Sequence, residues 1–217
     1  MSMLGNDSQL ELFLSLFKHG KLLSYNKGEY IIRPGESPEY VFYIESGLVK
    51  AFNISKYGEE NLLIIRKPHE IFPLIWAVTG QGRSIIYQAL SPTTVYKVNR
   101  EEFTKFLTSN TNVLYPFIDL IVKQYRIHSE RILNLEYRSV RERLVSFILT
   151  MAMRFGKDCP EGVLINVPLK QQDIASSINA TRETTSRELG VLERKGLITT
   201  TQGYITIIDK SALKKLL

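Results

Sequence analysis

Between Leu114 and Leu135, seven side chains (Leu114, Ile118, Ile121, Tyr125, His128, Ile132 and Leu135) recur at alternating spacings of four and three. This is the a/d pattern of a helix that keeps one narrow seam facing a partner. A helix of roughly 25 residues at about 1.5 Å per residue runs close to 40 Å, longer than the face of a small β-barrel. An apolar stripe ordinarily packs on its own domain, but a seam this strict and this long predicts self-association through these seven residues. His128 within it is either a pH-sensitive contact or a hydrogen-bonded structural imidazole.

The chain before the seam has a different texture. From about Lys21 to Lys97, the stretches YIIRPG, YVFYIESG, LVKAFNI, ENLLIIR, SIIYQAL and TTVYKV are rich in Val, Ile, Tyr, Phe and Thr. Gly, Pro, Asn or Ser interrupts them every eight to twelve residues or so, the spacing of an antiparallel sandwich or barrel. Gly28, Gly35, Gly47 and Gly58 fall at the turns. SQLELFLSLF reads as a short helix ahead of the strands, and NREEFTKFL as another with Asn99 as its N-cap. TSNTN is a break before the long helix, which runs to about Tyr137. VRERLVSFILTMAMRFG follows as a second amphipathic helix closed by Gly156 in C-terminal fashion. The expected organisation is α+β: a domain over 1–110, a helix over 111–137 and a smaller domain over 138–217.

The last segment carries the chemistry. PLKQQDIASSI offers a short helix with Ile174 and Ile178 on one side, and ATRETTSRELGVLERKG a second, with Thr181 as N-cap and Gly196 as its stop. A turn containing Asn179, a residue type that tolerates the left-handed region, joins them into a helix-turn-helix. At about 100° per residue from Arg182, Ser186 falls near 40°, Glu183 near 100° and Arg187 near 140°, while Leu192, Thr185 and Leu189 fall near 280° to 340°. A recognition helix needs that division: a buried side to lock it down, and polar residues near its start to reach base edges. Arginine matches the paired acceptors of guanine, glutamate accepts from the cytosine amino group, and the hydroxyls of Thr181, Thr184 and Ser186 suit phosphates. A solvated face with an Arg187–Glu183 ion pair is the plain alternative. LITTTQGYITI then adds two strands around a Gln202-Gly203 turn, which makes the layout a winged helix with Lys170, Arg194 and Lys195 as further phosphate contacts.

A formal charge of +6 agrees with a polyanionic partner without requiring one. Cys159 is the only cysteine, so a disulfide, a four-cysteine zinc site and a cysteine-ligated iron–sulfur cluster within one chain are excluded. No apolar run approaches the roughly 18 to 20 residues of a membrane span, and the start MSMLGNDSQLELF lacks the pattern of a leader, so no membrane association and a cytoplasmic location are expected. The chain contains no HExxH, GxSxG or GxxxxGK[ST] motif and no His/Asp/Cys cluster, so no catalytic residue, no metal ligand and no enzyme activity are expected.

With these features in place, the chain resembles the bacterial Crp/Fnr transcription regulators, the family of the cyclic-AMP receptor protein, over nearly its whole length. KGEYIIRPGESPEYVFYIESGLVKAF is similar to the family's cyclic-nucleotide-binding-type jelly roll, the heptad helix to its dimerisation helix, and LKQQDIASSINATRETTSRELGVLERKGLI to its DNA-binding signature. The family's base-reading Arg-Glu-x-x-x-Arg falls on Arg182, Glu183 and Arg187. The resemblance implies a homodimer on double-stranded DNA with a palindromic operator, and contact with RNA polymerase. It also places a candidate effector pair at Arg83 and Ser84, where cyclic-AMP-binding members hold the phosphate. The Gly-Glu pair that meets the ribose is missing: Pro73 or Leu74 stands there, and Glu70 comes about three residues early. Cyclic AMP is therefore not expected, the effector is unknown, and no spacing among His19, His69 and His128 points to haem. The run Ile71, Phe72, Leu74, Ile75, Trp76 either lines a pocket for another ligand or fills the barrel core. A signalling module that senses a small molecule and binds protein through its C-terminal domain is the other reading.

Overall fold

The structure, a computed structural model, describes residues 7–217. Met1 to Asn6, where the sequence was read for a leader, lie outside the described residues. The chain divides into two compact units: the described residues through Tyr57 with Leu63–Ile127, and Gly58–Leu62 with His128–Leu217.

The first unit opens with α1 (Asp7–Lys18) and continues through β1 (Lys21–Tyr25), β2 (Tyr30–Ile32), β3 (Tyr40–Ser46), β4 (Val49–Ile54), the greater part of β5 (Glu60–Arg66), β6 (Ile71–Phe72), α2 (Leu74–Thr79), β7 (Ile86–Ala89), β8 (Thr93–Asn99) and α3 (Arg100–Ser109). The strands form two four-stranded sheets, ordered β1-β8-β3-β6 and β2-β7-β4-β5. Apart from β4 and β5, successive strands change sheets in the manner of a jelly roll. Neither β6 nor α2 was anticipated, because a two-residue strand and a six-residue helix are too short to show a period.

Strand β3 explains why this half of the sequence shows runs in place of alternation. Val41 and Tyr43 point into one core cluster while Phe42 and Ile44 point into another, so both of its faces are buried. The inner cluster is built on a stack of rings: Phe42 to Phe72 at 5.2 Å and Phe72 to Tyr87 at 4.7 Å between centroids. The outer cluster joins Phe13 and Phe17 of α1, Phe103 and Leu107 of α3, and Val113, Phe117 and Leu120 of the long helix α4 (Thr111–Tyr137). Gly28, Gly35, Gly47 and Gly58 all have positive φ, as the turns require. At Gly47 there is also no room, since a Cβ would lie 2.3 Å from the Pro92 carbonyl oxygen.

Helix α4 carries two apolar stripes. Val113, Phe117 and Leu120 are buried in the outer cluster of the first unit, and Gln124, further along the same stripe, is buried too. Each is followed by a seam residue, Leu114, Ile118, Ile121 and Tyr125, about 100° further round the helix. Those four are exposed, Ile118 at 53% and Tyr125 at 72%, and Ile132 further along is 62% exposed. The packing of α4 on its own unit is thus carried by a stripe other than the predicted seam, and Leu114, Ile118, Ile121, Tyr125, Ile132 and Leu135 of the seam stay exposed while His128 is half-buried.

The second unit holds α5 (Val140–Phe155), β9 (Gly156–Cys159), β10 (Gly162–Ile165), α6 (Gln171–Ser177), α7 (Arg182–Arg194), β11 (Ile198–Thr201), β12 (Tyr204–Ile207) and α8 (Lys210–Lys214). The wing is half of a four-stranded sheet ordered β11-β12-β10-β9, in place of the expected lone hairpin. Gly156 does not stop α5 through a left-handed residue, because its φ is −66° and its conformation extended. It is required for close approach: a Cβ there would lie 2.3 Å from the Ala152 carbonyl oxygen.

Phe72 stacks on rings at both faces and is fully buried. Phe72→Ala is expected to destabilise the protein by about 3–5 kcal/mol, read as a lower urea midpoint without a change of slope.

Candidate nucleic-acid interface

The site is assembled from helix caps outward. Asn179 takes φ 50° in the turn between α6 and α7, and the hydroxyl of Thr181 accepts from Thr184 N at 3.1 Å to start α7. Gly196, just past the helix, has φ 67°. Ile174 and Ile178 of the first helix and Thr185, Leu189 and Leu192 of the second are buried, which sets the roll of α7 to first order.

Arg182, Glu183, Ser186 and Arg187 are all exposed, on an arc of α7 that begins beside the buried row at Arg182 and runs away from it to Arg187. Among the described residues no ion pair joins Arg187 to Glu183, the contact that the plain solvated-face reading invoked. Thr181 is exposed, but its hydroxyl is engaged: it caps the helix and also donates to Thr184 Oγ1 at 3.0 Å. Ser186 is the predicted hydroxyl with no such cap duty. Lys170 is the exposed N-cap residue of α6, and Arg194 and Lys195 are exposed at the far end of α7. The Gln202-Gly203 turn has φ of 51° and 83°, the two-residue hairpin geometry whose backbone twist suits β11 and β12.

Sequence reasoning missed the residues that hold α7 from outside. Arg141 of α5 grips Glu188 of α7, with Nε to Oε2 at 2.6 Å and Nη2 to Oε1 at 3.5 Å, and the Glu188 hydrogen bond raises the pKa of this guanidinium. Arg143 donates to the carbonyls of Arg138 at 3.0 Å and Asn179 at 3.2 Å. Glu193 Oε1 accepts from Thr200 N at 2.9 Å and from the Thr200 hydroxyl, which ties α7 to the wing. Within the same unit Arg131 donates to Leu62 O at 3.0 Å, and burial lowers its pKa. No local motif announces such contacts: Arg141–Glu188, Arg143–Asn179 and Arg131–Leu62 join residues tens of positions apart, and Glu193–Thr200 forms only because the chain folds back after Gly196.

The start of α5 is fixed by a reciprocal cap. Ser139 Oγ accepts from Glu142 N, and Glu142 Oε2 accepts from Ser139 N at 2.8 Å.

The candidate effector residues are not gathered into a site. Arg83 and Ser84 are exposed in the irregular segment before β7, while Glu70 is fully buried against Arg66 at 3.6 Å. Pro73 occupies the N-cap of α2 and offers no N–H to a ligand. Ile71, Phe72 and Leu74 belong to the core clusters, and Ile75 is exposed. His69 Nδ1 lies 2.6 Å from the Tyr43 hydroxyl, and His19 Nδ1 lies 2.5 Å from the Ser15 carbonyl. Among the described residues no group of three or more His, Cys, Asp or Glu side chains is placed to hold a metal.

Residues 142–216 match the Crp-like helix-turn-helix domain, and residues 22–110 match the cyclic nucleotide-binding domain. The chain is 30% identical over 199 residues to a global nitrogen regulator of Synechocystis sp., covering 88% of this chain and 86% of the relative. It is 29% identical over 222 residues to a global nitrogen regulator of Synechococcus elongatus, covering 98% and 99%. Among solved structures, FixK2 from Bradyrhizobium japonicum superposes with a TM-score of 0.78 at 23% identity, covering 91% of this chain and 96% of that one. The second domain match raises the question of a cyclic nucleotide. The residues present do not fit one, since the acid that would meet the ribose is replaced and Glu70 is committed to Arg66.

Loss of the α5 cap is testable. Ser139→Ala is expected to cost about 1 kcal/mol of stability in urea titrations. The Ser139 hydrogen bonds hold the Glu142 carboxyl below its usual pKa. A depressed folded-state pKa gives stability that is complete above the ordinary carboxylate range and fades as pH falls through the lowered value. The difference in urea midpoint between wild type and Glu142→Gln should therefore be present at neutral pH and vanish in acid.

Proposed function

Because the chain belongs to the Crp/Fnr family of transcription regulators, we propose that it acts as a homodimer whose two α7 helices read the half-sites of a palindromic operator. The observation that carries this reading is the joint exposure of Arg182, Glu183, Ser186 and Arg187 on one arc of a capped helix whose buried row lies outside that arc. In a duplex, Arg182 and Arg187 are assigned to guanine edges and Glu183 to a cytosine amino group. Lys170, Arg194, Lys195 and the wing turn are assigned to backbone phosphates, which orient the protein without reading sequence. Thr181 and Thr184 serve the same surface chiefly by capping the helix that presents it.

The dimer reading rests on the exposed stripe of α4. Leu114, Ile118, Ile121, Tyr125, His128, Ile132 and Leu135 supply the interface, and two-fold symmetry would set the reading helices about one DNA turn, roughly 34 Å, apart. Among the described residues no helix is long and apolar enough to cross a membrane, in keeping with a regulator at work on DNA in the cytoplasm. RNA polymerase is the further partner the family implies. The relatives and the site geometry give nothing to the protein-docking alternative or to an enzymatic role. The effector, if the protein uses one, is assigned to a class other than cyclic nucleotides.

A duplex enriched from a random library by the wild-type protein supplies the probe for the central test. Arg182→Ala and Arg187→Ala should each lower discrimination between that duplex and a scrambled one by about 1–3 kcal/mol, measured by anisotropy at fixed salt. Unchanged discrimination in both variants would sink the assignment. For the dimer, Ile118→Glu combined with Ile132→Glu should shift the light-scattering mass from two chains to a single chain of 24.9 kDa.

A further inference from the structure

We infer that Arg141 is a positioning residue for DNA reading, and that its grip on Glu188 fixes the roll of α7 about its own axis. The inference rests on the reading of α7 as the recognition helix and adds a residue that touches no base.

The contacts that bury α7 cannot fix its roll finely. Leu189 and Leu192 pack by apolar contact, which has no direction. The hydroxyl of Thr185, also buried, donates to Thr181 O within the same helix and so ties α7 to nothing else. A roll of about 20° would displace a guanidinium roughly 7 Å from the helix axis by about 2–3 Å, whereas a binding constellation must be held to within about 0.5 Å. Directional contacts have to supply the difference; Glu193 supplies one at the C-terminal end of α7, where it accepts from Thr200 of the wing, and a second is needed nearer the reading residues.

Glu188 is placed to supply it. At about 100° per residue it falls near 240°, roughly 100° beyond Arg187 and on the flank of the buried row. Its side chain is only 17% exposed, and both of its oxygens meet the Arg141 fork, at 2.6 and 3.5 Å. A two-point contact between a planar guanidinium and a carboxylate constrains angle as well as distance. Arg141 also sits where its own helix does not favour it, in the first turn of α5, beside the positive end of the helix dipole. Arg143, in the same turn, holds the other side of the motif through the Asn179 carbonyl of the α6–α7 turn at 3.2 Å. The capping box of Ser139 and Glu142 makes that turn a fixed frame. One turn of α5 thus grips both the flank of the reading helix and the turn that launches it.

The test compares Arg141→Ala, Arg141→Lys, Glu188→Gln and the exchanged pair Arg141→Glu with Glu188→Arg, in the full-length chain. Each binds the duplex enriched by the wild type and a scrambled duplex of equal composition, across a salt series. Arg141→Ala should weaken binding to the enriched duplex about tenfold while changing the scrambled one less than twofold, with the salt slope unaltered. Glu188→Gln should behave alike, Arg141→Lys should fall between because it keeps the charge and loses the fork, and the exchanged pair should recover most of the loss. Circular dichroism identifies any variant that fails to fold, and Arg141→Lys with Glu188→Gln then carries the comparison. Equal losses on both duplexes with a shallower salt slope would make Arg141 a phosphate contact and overturn the inference, as would unaltered affinity for the enriched duplex. If the wild type enriches no duplex, the recognition-helix reading itself falls; if it does and the variants are indifferent, only the positioning role does.

Discussion

An α-helix turns about 100° per residue, so two apolar stripes offset by one position cannot both face the same neighbour. Helix α4 has such stripes, and the outer cluster of the first unit takes only Val113, Phe117 and Leu120. The adjacent row, Leu114, Ile118, Ile121 and Tyr125, is left in solvent, continued by Ile132 and Leu135. Exposed side chains of this size along one helix face mark an association surface more often than they decorate a monomer. The proposed dimer, and with it the proposed two-fold reading of DNA, rests on this geometric surplus.

A similar division of labour runs through α7. Its buried residues are few and undirected, the residues proposed to read DNA are exposed, and what connects the two is a set of polar contacts from α5 and the wing. Caps matter here for the same reason. Thr181 and Ser139 each set where a helix begins, and a shift of one residue would turn every side chain on that helix by about 100°. The surface proposed to meet DNA is therefore specified by residues that need not meet it.

The first unit keeps the frame of a nucleotide-binding jelly roll with different contents. Phe42, Phe72 and Tyr87 stack face to face in its interior, and Arg66 and Glu70 form a buried pair beside them. Burial of two opposite charges is tolerable only when each is satisfied nearby, so Glu70 is committed to structure and not available to a ribose. Helix α2 begins at Pro73 and ends at Gly80, with Arg100 donating to the carbonyls of Trp76 at 3.1 Å and Val78 at 3.0 Å. These residues give the barrel its shape without assembling the contacts expected of a cyclic-nucleotide pocket.

Periodicity and turn chemistry are local, and the sequence alone determined what depends on them. The strand runs, the seam of α4, the Asn99 and Thr181 caps, the left-handed Asn179, the Gln202-Gly203 turn and the exposed side of α7 all follow from spacings of a few residues. Short or irregular elements carried too little pattern to be seen: β6, α2, α8, β9 and β10 span six residues or fewer apiece. Gly156 was misread because a glycine after a helix commonly serves a left-handed stop, whereas here a neighbouring carbonyl leaves no space for a Cβ. Only the tertiary structure decided which stripe of α4 is buried, that Arg141 pairs with Glu188 and that Glu70 pairs with Arg66 inside the barrel. Those outcomes turn on which surfaces meet when distant segments pack, and no local spacing encodes that.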